Sequence, residues 1–420
     1  MNKSALAIVL CLLFLCLLVP TAWSEPTCVF LFIGDGMGSE HVGAAGMYAD
    51  GIPGGLSFES FPYQAEMTTH SASSSITDSA AAGTALSTGH KVNNGVISLA
   101  IPGDSSELET LLEHFRDQGK STGLVTTTYM THATPAAFGA HETSRNNIAQ
   151  IATDYMTQTM PNVLFGGGAS GMSTTSATDA GYVVITDRTE MEALDTETVT
   201  MVSGQFGSGH LPYEYDGLGS LPHLSEMTTT AIDILDNDPS GFFLMVEGGR
   251  IDHASHNNDI ERAVLETVEF SNAVQVAIDW AQGRSDTLIL VTADHETGGL
   301  AVERNNGQWQ FPDVTWSTGS HTDANVPIYA WGMNASLVGG VMDNTEVPGV
   351  AKAAAPPESC ENCDPNDDNA INFSDLSAFS TAWGKSCGDP EYLSGFDVNA
   401  DCVIDFSDLS FFSSCWGQSW

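Results

Sequence analysis

Cys28-Val-Phe-Leu-Phe-Ile33-Gly34-Asp35-Gly36-Met37-Gly38 is an unbroken apolar run closed by a glycine-rich turn. Apolar residues in succession, without alternation, are the pattern of a strand buried on both faces, as in a parallel sheet. Such a strand puts Asp35 at the carboxyl end of a central strand, the edge where open α/β sheets bind ligands. Alone, Gly-Asp-Gly reads as an Asx-turn. The pattern recurs, however. Gly241-Phe-Phe-Leu-Met-Val-Glu247 and Thr287-Leu-Ile-Leu-Val-Thr-Ala293 are two more such runs, ending in Glu247 and in Asp294-His295-Glu296. A strand over 122–127 leads to Thr131-His132-Ala133-Thr134-Pro135. Four strands thus end in ionisable residues, a repetition that a shared metal site requires and core packing does not. Between them the spacing predicts helices over 105–118, 146–157, 225–235 and 259–282, a strand over 162–165 and a last strand over 326–331. Strands alternating with helices predict a three-layer α/β/α sandwich with a mostly parallel central sheet. Residues 166–219, rich in Gly, Ser and Thr, support no functional reading.

Ser-Ile-Thr77-Asp78-Ser79-Ala-Ala-Ala-Gly sets a serine among small neighbours at a helix start. Free N–H groups and the helix dipole favour an anion there, so a phosphate fits above Ser79. A serine hydroxyl alone is a poor nucleophile and needs a base or a metal. In Glu247-Gly-Gly-Arg-Ile-Asp252-His253-Ala-Ser-His256, a helical turn sets Asp252 and His256 on one face, a spacing suited to two ligands of one metal. In isolation they read as a helix cap and a surface histidine. Arg145, in His141-Glu-Thr-Ser-Arg145, offers a fork that matches two phosphate oxygens. His321 precedes the strand at 326.

The 420 residues allow a large domain plus a smaller one. Hydrophobic residues at 42% exclude wholesale disorder. Twelve Lys and Arg against 53 Asp and Glu give a net charge of −41, which excludes nucleic-acid binding through phosphates. The same charge repels an anionic substrate unless local cations recruit it. Residues 1–24 read as a secretory signal: Lys3, an apolar run from Ala5 to Val19, and Ala22-Trp23-Ser24 as cleavage site. No other stretch of that kind follows, so the expected product is exported (periplasmic, cell-surface or extracellular) with no transmembrane segment. Cys360, Cys363, Cys387, Cys402 and Cys415 cluster at the end of the chain, which in an exported protein favours disulfides in a small tail domain. Cys28 is left as a buried thiol.

Taken in order, these segments resemble the alkaline phosphatase family over about residues 27 to 350. The resemblance rests on Gly34-Asp35-Gly36-Met37-Gly38, Thr77-Asp78-Ser79-Ala80-Ala81, Ala133-Thr134-Pro135 with Arg145, Val246-Glu247-Gly248 through His256, Thr292-Ala293-Asp294-His295, and His321. It implies an α/β enzyme with two zinc ions and one magnesium ion. One zinc would be held by Asp252, His256 and His321; the second by Asp35, Asp294 and His295, with Ser79 as its further ligand. Asp35 would bridge to a magnesium that also takes Thr134 and Glu247. These sets follow ligand preference, imidazole and carboxylate for zinc, oxygen for magnesium. The family's mechanism implies that Ser79 attacks phosphorus in line, that a phosphoserine forms and is hydrolysed, and that Arg145 clamps two phosphate oxygens. Small phosphate monoesters are the implied substrates. His132 and His253 stand where relatives vary, some carrying Asp and Lys; the His pair resembles the branch with a loosely held magnesium, so added magnesium should activate. Asp78 lies behind the nucleophile. The connection from His295 to His321 is short, leaving little room for the loop subdomain many relatives use at a dimer contact, so a homodimer stays open.

Beyond the linker at 351–359, marked by Pro356-Pro357, residues 360–420 contain a repeat of about 33 residues. Asp364, Asn366, Asp368, the backbone of Ala370 and Asp375 in the first copy match Asp397, Asn399, Asp401, the backbone of Val403 and Asp408 in the second. These are oxygen ligands at calcium-loop positions 1, 3, 5, 7 and 12. Two loops, each followed by a helix, resemble a type I dockerin, which implies an all-α, EF-hand-like, calcium-binding module. Its partner would be a cohesin or a cell surface; the cysteines and missing glycines depart from the usual pattern, and a calcium-folded attachment module without a cohesin is the alternative. The chain so read is an exported, metal-dependent phosphomonoesterase, 25–350, with a calcium-binding tail. The rival readings are a phosphodiesterase or sulfatase of the same superfamily, the sulfatase disfavoured because no cysteine lies near Ser79, and a non-catalytic attachment protein acting through the tail.

Overall fold

The computed structural model describes residues 27–353, together with 378, 379, 381–386 and 389. The signal at 1–24, the expected linker from 354 onward, every calcium ligand read in the tail and the tail cysteines lie outside the described residues, whereas Ala351 and Lys352, expected in the linker, close the helix Val347–Lys352. One compact unit spans Pro26–Lys352, and the described residues beyond it belong to a second. In that second unit Phe379 and Ala382 are buried, and the rings of Phe379 and Trp383 lie 5.7 Å apart.

The first unit is built on one ten-stranded sheet. Its strands are β1 (Cys28–Ile33), β2 (Tyr63–Thr68), β3 (Ser121–Tyr129), β4 (Val163–Gly167), β5 (Val183–Ile185), β6 (Val202–Gln205), β7 (Phe242–Glu247), β8 (Thr287–Thr292), β9 (Val326–Gly332) and β10 (Val341–Asp343). They lie in the order β10-β2-β9-β8-β1-β7-β3-β4-β6-β5. Every pairing is parallel except those of β9, which runs antiparallel to β8 and β2. The fold is therefore α/β with a mostly parallel central sheet. Strands β1, β7 and β8 are buried along their whole length, which is why they carry no polar alternation. The helix Ile260–Ala281 covers them with Val264, Phe270, Val274 and Ala277, and Phe270 meets Phe32 edge-on at 6.1 Å. Burying one such ring contributes roughly 2 to 3 kcal/mol. Cys28 is a buried free thiol, pushed up to about 11 by burial.

Register sets the site. Ile33 lies opposite Glu247 on one side and Thr292 on the other, and Thr126 faces Glu247 from β3. The carboxyl ends of four parallel strands are thus level, and whatever follows them projects from one edge. Because β9 is antiparallel, the chain enters it from this same edge, shortly after His321.

Several elements differ from the sequence reading. The helix expected over 105–118 starts only at Leu111. Thr110 and Glu113 form a reciprocal capping box there, and the residues before it go into a bridge between Leu99 and Glu107. The helix expected over 146–157 is Ile148–Asp154 followed by a π-type turn, Tyr155–Thr159. The strand at 326 is not the last, since β10 follows it. Among the described residues no helix is long and apolar enough to cross a membrane.

Candidate metal centre and nucleophile

Asp35, Glu247, Asp294 and His295 follow or end β1, β7 and β8 and are fully buried. Asp294 is oriented by backbone: its Oδ1 accepts the N–H of Gly36 at 3.1 Å and of His295 at 2.9 Å. Its Oδ2 accepts no hydrogen bond. On Glu247, Oε2 accepts from the hydroxyls of Thr126 and Thr128, while Oε1 is left without a donor. Both oxygens of Asp35 and the hydroxyl of Thr134 are also buried and unpaired. One such oxygen costs on the order of 1 to 3 kcal/mol. A set of them facing one edge is what cation ligands look like without the cation.

Three groups of side chains have ligand atoms close enough to share an ion: Asp252, His256 and His321; Asp35, Asp294 and His295; Asp35, His132 and Glu247. In the first, His256 Nδ1 bonds the carbonyl of Gly319 and His321 Nδ1 that of Thr77, both at 2.8 Å. Those bonds place the proton on Nδ1 and leave the two Nε2 lone pairs 3.2 Å apart, facing each other. Asp252 stands 3.3 Å from one and 3.5 Å from the other. In the second group, His295 Nε2 is 3.3 Å from Asp294 and 3.5 Å from Asp35. Ligands bonded to zinc at about 2.0 Å in a tetrahedron sit about 3.3 Å from one another. Both groups fit that edge. Charge points the same way. Burial, then Asp294, pushes the Asp35 carboxyl far above its usual range, while burial raises Asp294 to about 8 and Glu247 to about 7. Burial, then His321, drives His295 well below the usual imidazole range, so it stands as a neutral ligand.

Ser79 is the first residue of the helix Ser79–Thr88, and its Oγ lies 3.5 Å from His295 Nε2. Asp78 is the N-cap and accepts the N–H of Ala81 at 3.0 Å. Its Oδ2 also pairs with Arg145 Nη1 at 3.0 Å, so one carboxylate orients both helix start and guanidinium. Small residues let this helix approach the next: a Cβ on Gly83 would stand 3.1 Å from that of Ala137, in the helix Ala133–Gly139. His132 and Thr134 sit at the start of that helix rather than at the strand end. Burial, then Arg145, holds His132 well below the usual imidazole range.

The sequence reading missed three contributors. Thr297 donates to Asp252 Oδ1 at 2.6 Å and lies 3.3 Å from His295 Nδ1, tying two of the groups together. His210, from the Gly- and Ser-rich tract, packs against His253 and His132. Arg250 donates to His253 Nδ1 at 2.8 Å. None has a motif of its own; a lone histidine after Gly-Ser-Gly is only a weak signal. A fourth group, Glu214, His223 and Glu269, pairs internally and receives the Ser225 N–H on Glu269.

Over residues 27–311 the chain matches the family profile described as alkaline phosphatase. The chain belongs to the alkaline phosphatase family. Alkaline phosphatase 3 of Bacillus subtilis is 33% identical over 407 residues, covering 76% of this chain and 87% of that protein. The cold-active alkaline phosphatase of a psychrophilic Shewanella superposes with a TM-score of 0.71 at 29% identity, covering 78% of this chain and 99% of its own. A His-to-Asp variant of the alkaline phosphatase from the Antarctic bacterium TAB5, described with Mg bound in the M3 site, gives 0.69 at 27% identity, over 79% of this chain and 99% of its own. The chain is accordingly an enzyme, a phosphomonoesterase of the metal-dependent alkaline phosphatase superfamily.

Proposed function

We propose that this alkaline phosphatase hydrolyses phosphate monoesters outside the cytoplasm through a phosphoserine on Ser79. Asp252, His256 and His321 would hold one zinc ion, Asp35, Asp294 and His295 a second, and Asp35, Thr134 and Glu247 a magnesium ion beside His132 and His253. The observation that carries the reading is the Ser79 hydroxyl, 3.5 Å from His295 at a capped helix start, next to buried carboxylate oxygens that no donor satisfies.

Divalent cations bound by these groups supply the positive charge under which a serine hydroxyl ionises near neutral pH and a leaving alkoxide is steadied. The residues do the rest. Asp78 fixes the helix start, so Ser79 Oγ meets phosphorus opposite the leaving alcohol. Arg145, anchored by Asp78 and by a 3.3 Å contact with His132, receives two non-bridging oxygens and spreads the transition-state charge. The phosphorus–alkoxide bond breaks as the Ser79–phosphorus bond forms, and the alcohol leaves with a proton. Water then attacks the phosphoserine, restoring the hydroxyl and releasing inorganic phosphate. His132 and His253, in place of charged side chains, favour a weakly held magnesium ion, so activity should rise on magnesium addition. The exported location rests on the apolar amino-terminal stretch, and calcium binding and attachment on the repeat at 360–420.

Hydrolysis of p-nitrophenyl phosphate against bis(p-nitrophenyl) phosphate, with and without chelator, tests the reading. Monoester cleavage that is lost to chelator and restored by zinc and magnesium supports it. Preference for the bis ester would make the enzyme a phosphodiesterase, and turnover of the monoester that survives complete metal removal would contradict the reading.

A further inference from the structure

The wall that carries Arg145 continues through a series of basic groups. Arg145 Nη2 lies 3.3 Å from His132 Nε2, the His132 ring is 5.5 Å from that of His253, and His253 Nδ1 takes a 2.8 Å bond from Arg250. His210 completes the group, its ring 4.5 Å from His253 and 5.7 Å from His132. In a chain with 12 Lys and Arg against 53 acids, two arginines converging here need a cause. Arg145 has a carboxylate partner in Asp78. Arg250 has none among the described residues: its guanidinium lies over the Tyr213 ring at 3.8 Å, while Asp216 pairs with Arg262 instead. Glu266 and Asp216 act on the Arg250 charge from farther off, but an arginine stacked on a ring and braced by an imidazole, with no carboxylate in contact, keeps its hydrogen-bonding fork for something arriving from solution. The imidazoles add directed donors. His253 Nδ1 accepts from Arg250, and His210 Nδ1 accepts the Tyr129 N–H at 3.3 Å. Both protons therefore sit on Nε2. Arg250, His210 and His253 are all partly exposed.

We infer that Arg250, His253 and His210 form a second anion subsite beside the candidate phosphate site. The enzyme then favours monoesters that carry another anionic group, a second phosphate for instance, over monoesters of neutral alcohols. This rests on the reading of Ser79 as the place where the ester is cut.

Alkyl phosphates and ω-phosphonoalkyl phosphates with chains of two to five carbons make matched probes. Each has one scissile ester and the same kind of leaving alkoxide, and only the second series adds another anion. With the metal-loaded full chain, kcat/KM for the phosphonate-bearing member of at least one pair should be higher by about tenfold or more, mainly through KM. Added salt should shrink the preference. In Arg250→Gln the ratio within that pair should fall to about one, whereas a purely structural role for Arg250 would slow both members alike and leave the ratio intact. No preference at any length, or a preference that survives Arg250→Gln, overturns the inference. Failure to cleave either series contradicts the Ser79 reading itself, and the inference with it.

Discussion

Asp78 serves two ends through two oxygens. Oδ1 receives the N–H of Ala81 and caps the helix that starts at Ser79, and Oδ2 receives the guanidinium of Arg145. Asp78→Asn keeps an acceptor at the cap and removes the charge that holds Arg145. The variant should melt within a few degrees of the parent yet show a KM for p-nitrophenyl phosphate higher by about fivefold or more. Asp78→Ala should add a loss of about 1 kcal/mol in stability. Steady-state kinetics and thermal melts on the pair check both, and an unchanged KM in Asp78→Asn would contradict the anchoring role. Asp35, Glu247, Asp294 and His295 were legible because each ends or follows an apolar run. Thr297 and His210 were not, because a threonine that steadies a buried aspartate and a histidine in a Gly-Ser tract look in sequence like any loop residue.

Gly36 lets β1 pass into its turn close against the neighbouring helix. Its φ is +74°, and a Cβ there would stand 2.8 Å from Thr297 Oγ1 and 3.0 Å from the Asp252 backbone. Gly36→Ala should push both away, weaken metal retention by the Asp252, His256 and His321 group, and lower activity by about tenfold or more, with a stability cost of about 1 to 2 kcal/mol. Metal analysis after dialysis, beside activity, checks this; full retention and full activity would show that the approach is not needed. At this scale the fully buried strands β1, β7 and β8 could be read from their unbroken apolar runs. Strand β2 could not, because most of its residues are exposed or half-buried, nor could β5 and β10, each three residues long. The late start of the helix at Leu111 was written in Thr110 and Glu113, and the apolar spacing upstream outweighed them.

For the whole molecule, protonation is tied to the metals. Without cations, burial and then repulsion from neighbouring carboxylates raise Asp35 far above its usual range and Asp294 to about 8, and burial alone raises Glu247 to about 7. Near neutral pH these carboxyls hold protons in whole or in part, and metals bound by them would displace those protons. Calorimetric titration of metal-free enzyme with zinc and magnesium near pH 7, in buffers of different ionisation enthalpy, should show net proton release that fades above about pH 8. The sign carries over to folding. Between their ordinary and raised values these carboxyls bind more protons folded than unfolded, so their contribution to stability is lost as pH rises through the raised values. The buried imidazoles His132 and His295, lowered by burial, act oppositely but only below about pH 6.5. From there to about pH 8 the metal-free chain should lose stability faster than the loaded one. Every group of the candidate centre lies within Pro26–Lys352, so a chain ending at Lys352 should keep kcat within about twofold. The parallel architecture was legible because strands and helices alternate with clear periods. Which side chains come together in one group was not, because it depends on a register that sets four strand ends level.

The most direct test compares the parent with Ser79→Ala, each loaded with zinc and magnesium, by p-nitrophenyl phosphate turnover and by elemental analysis of the same samples. If Ser79 is the nucleophile, kcat falls by about a thousandfold or more at unchanged metal content. Turnover within about tenfold of the parent, in a Ser79→Ala chain carrying its full metal complement, would contradict it.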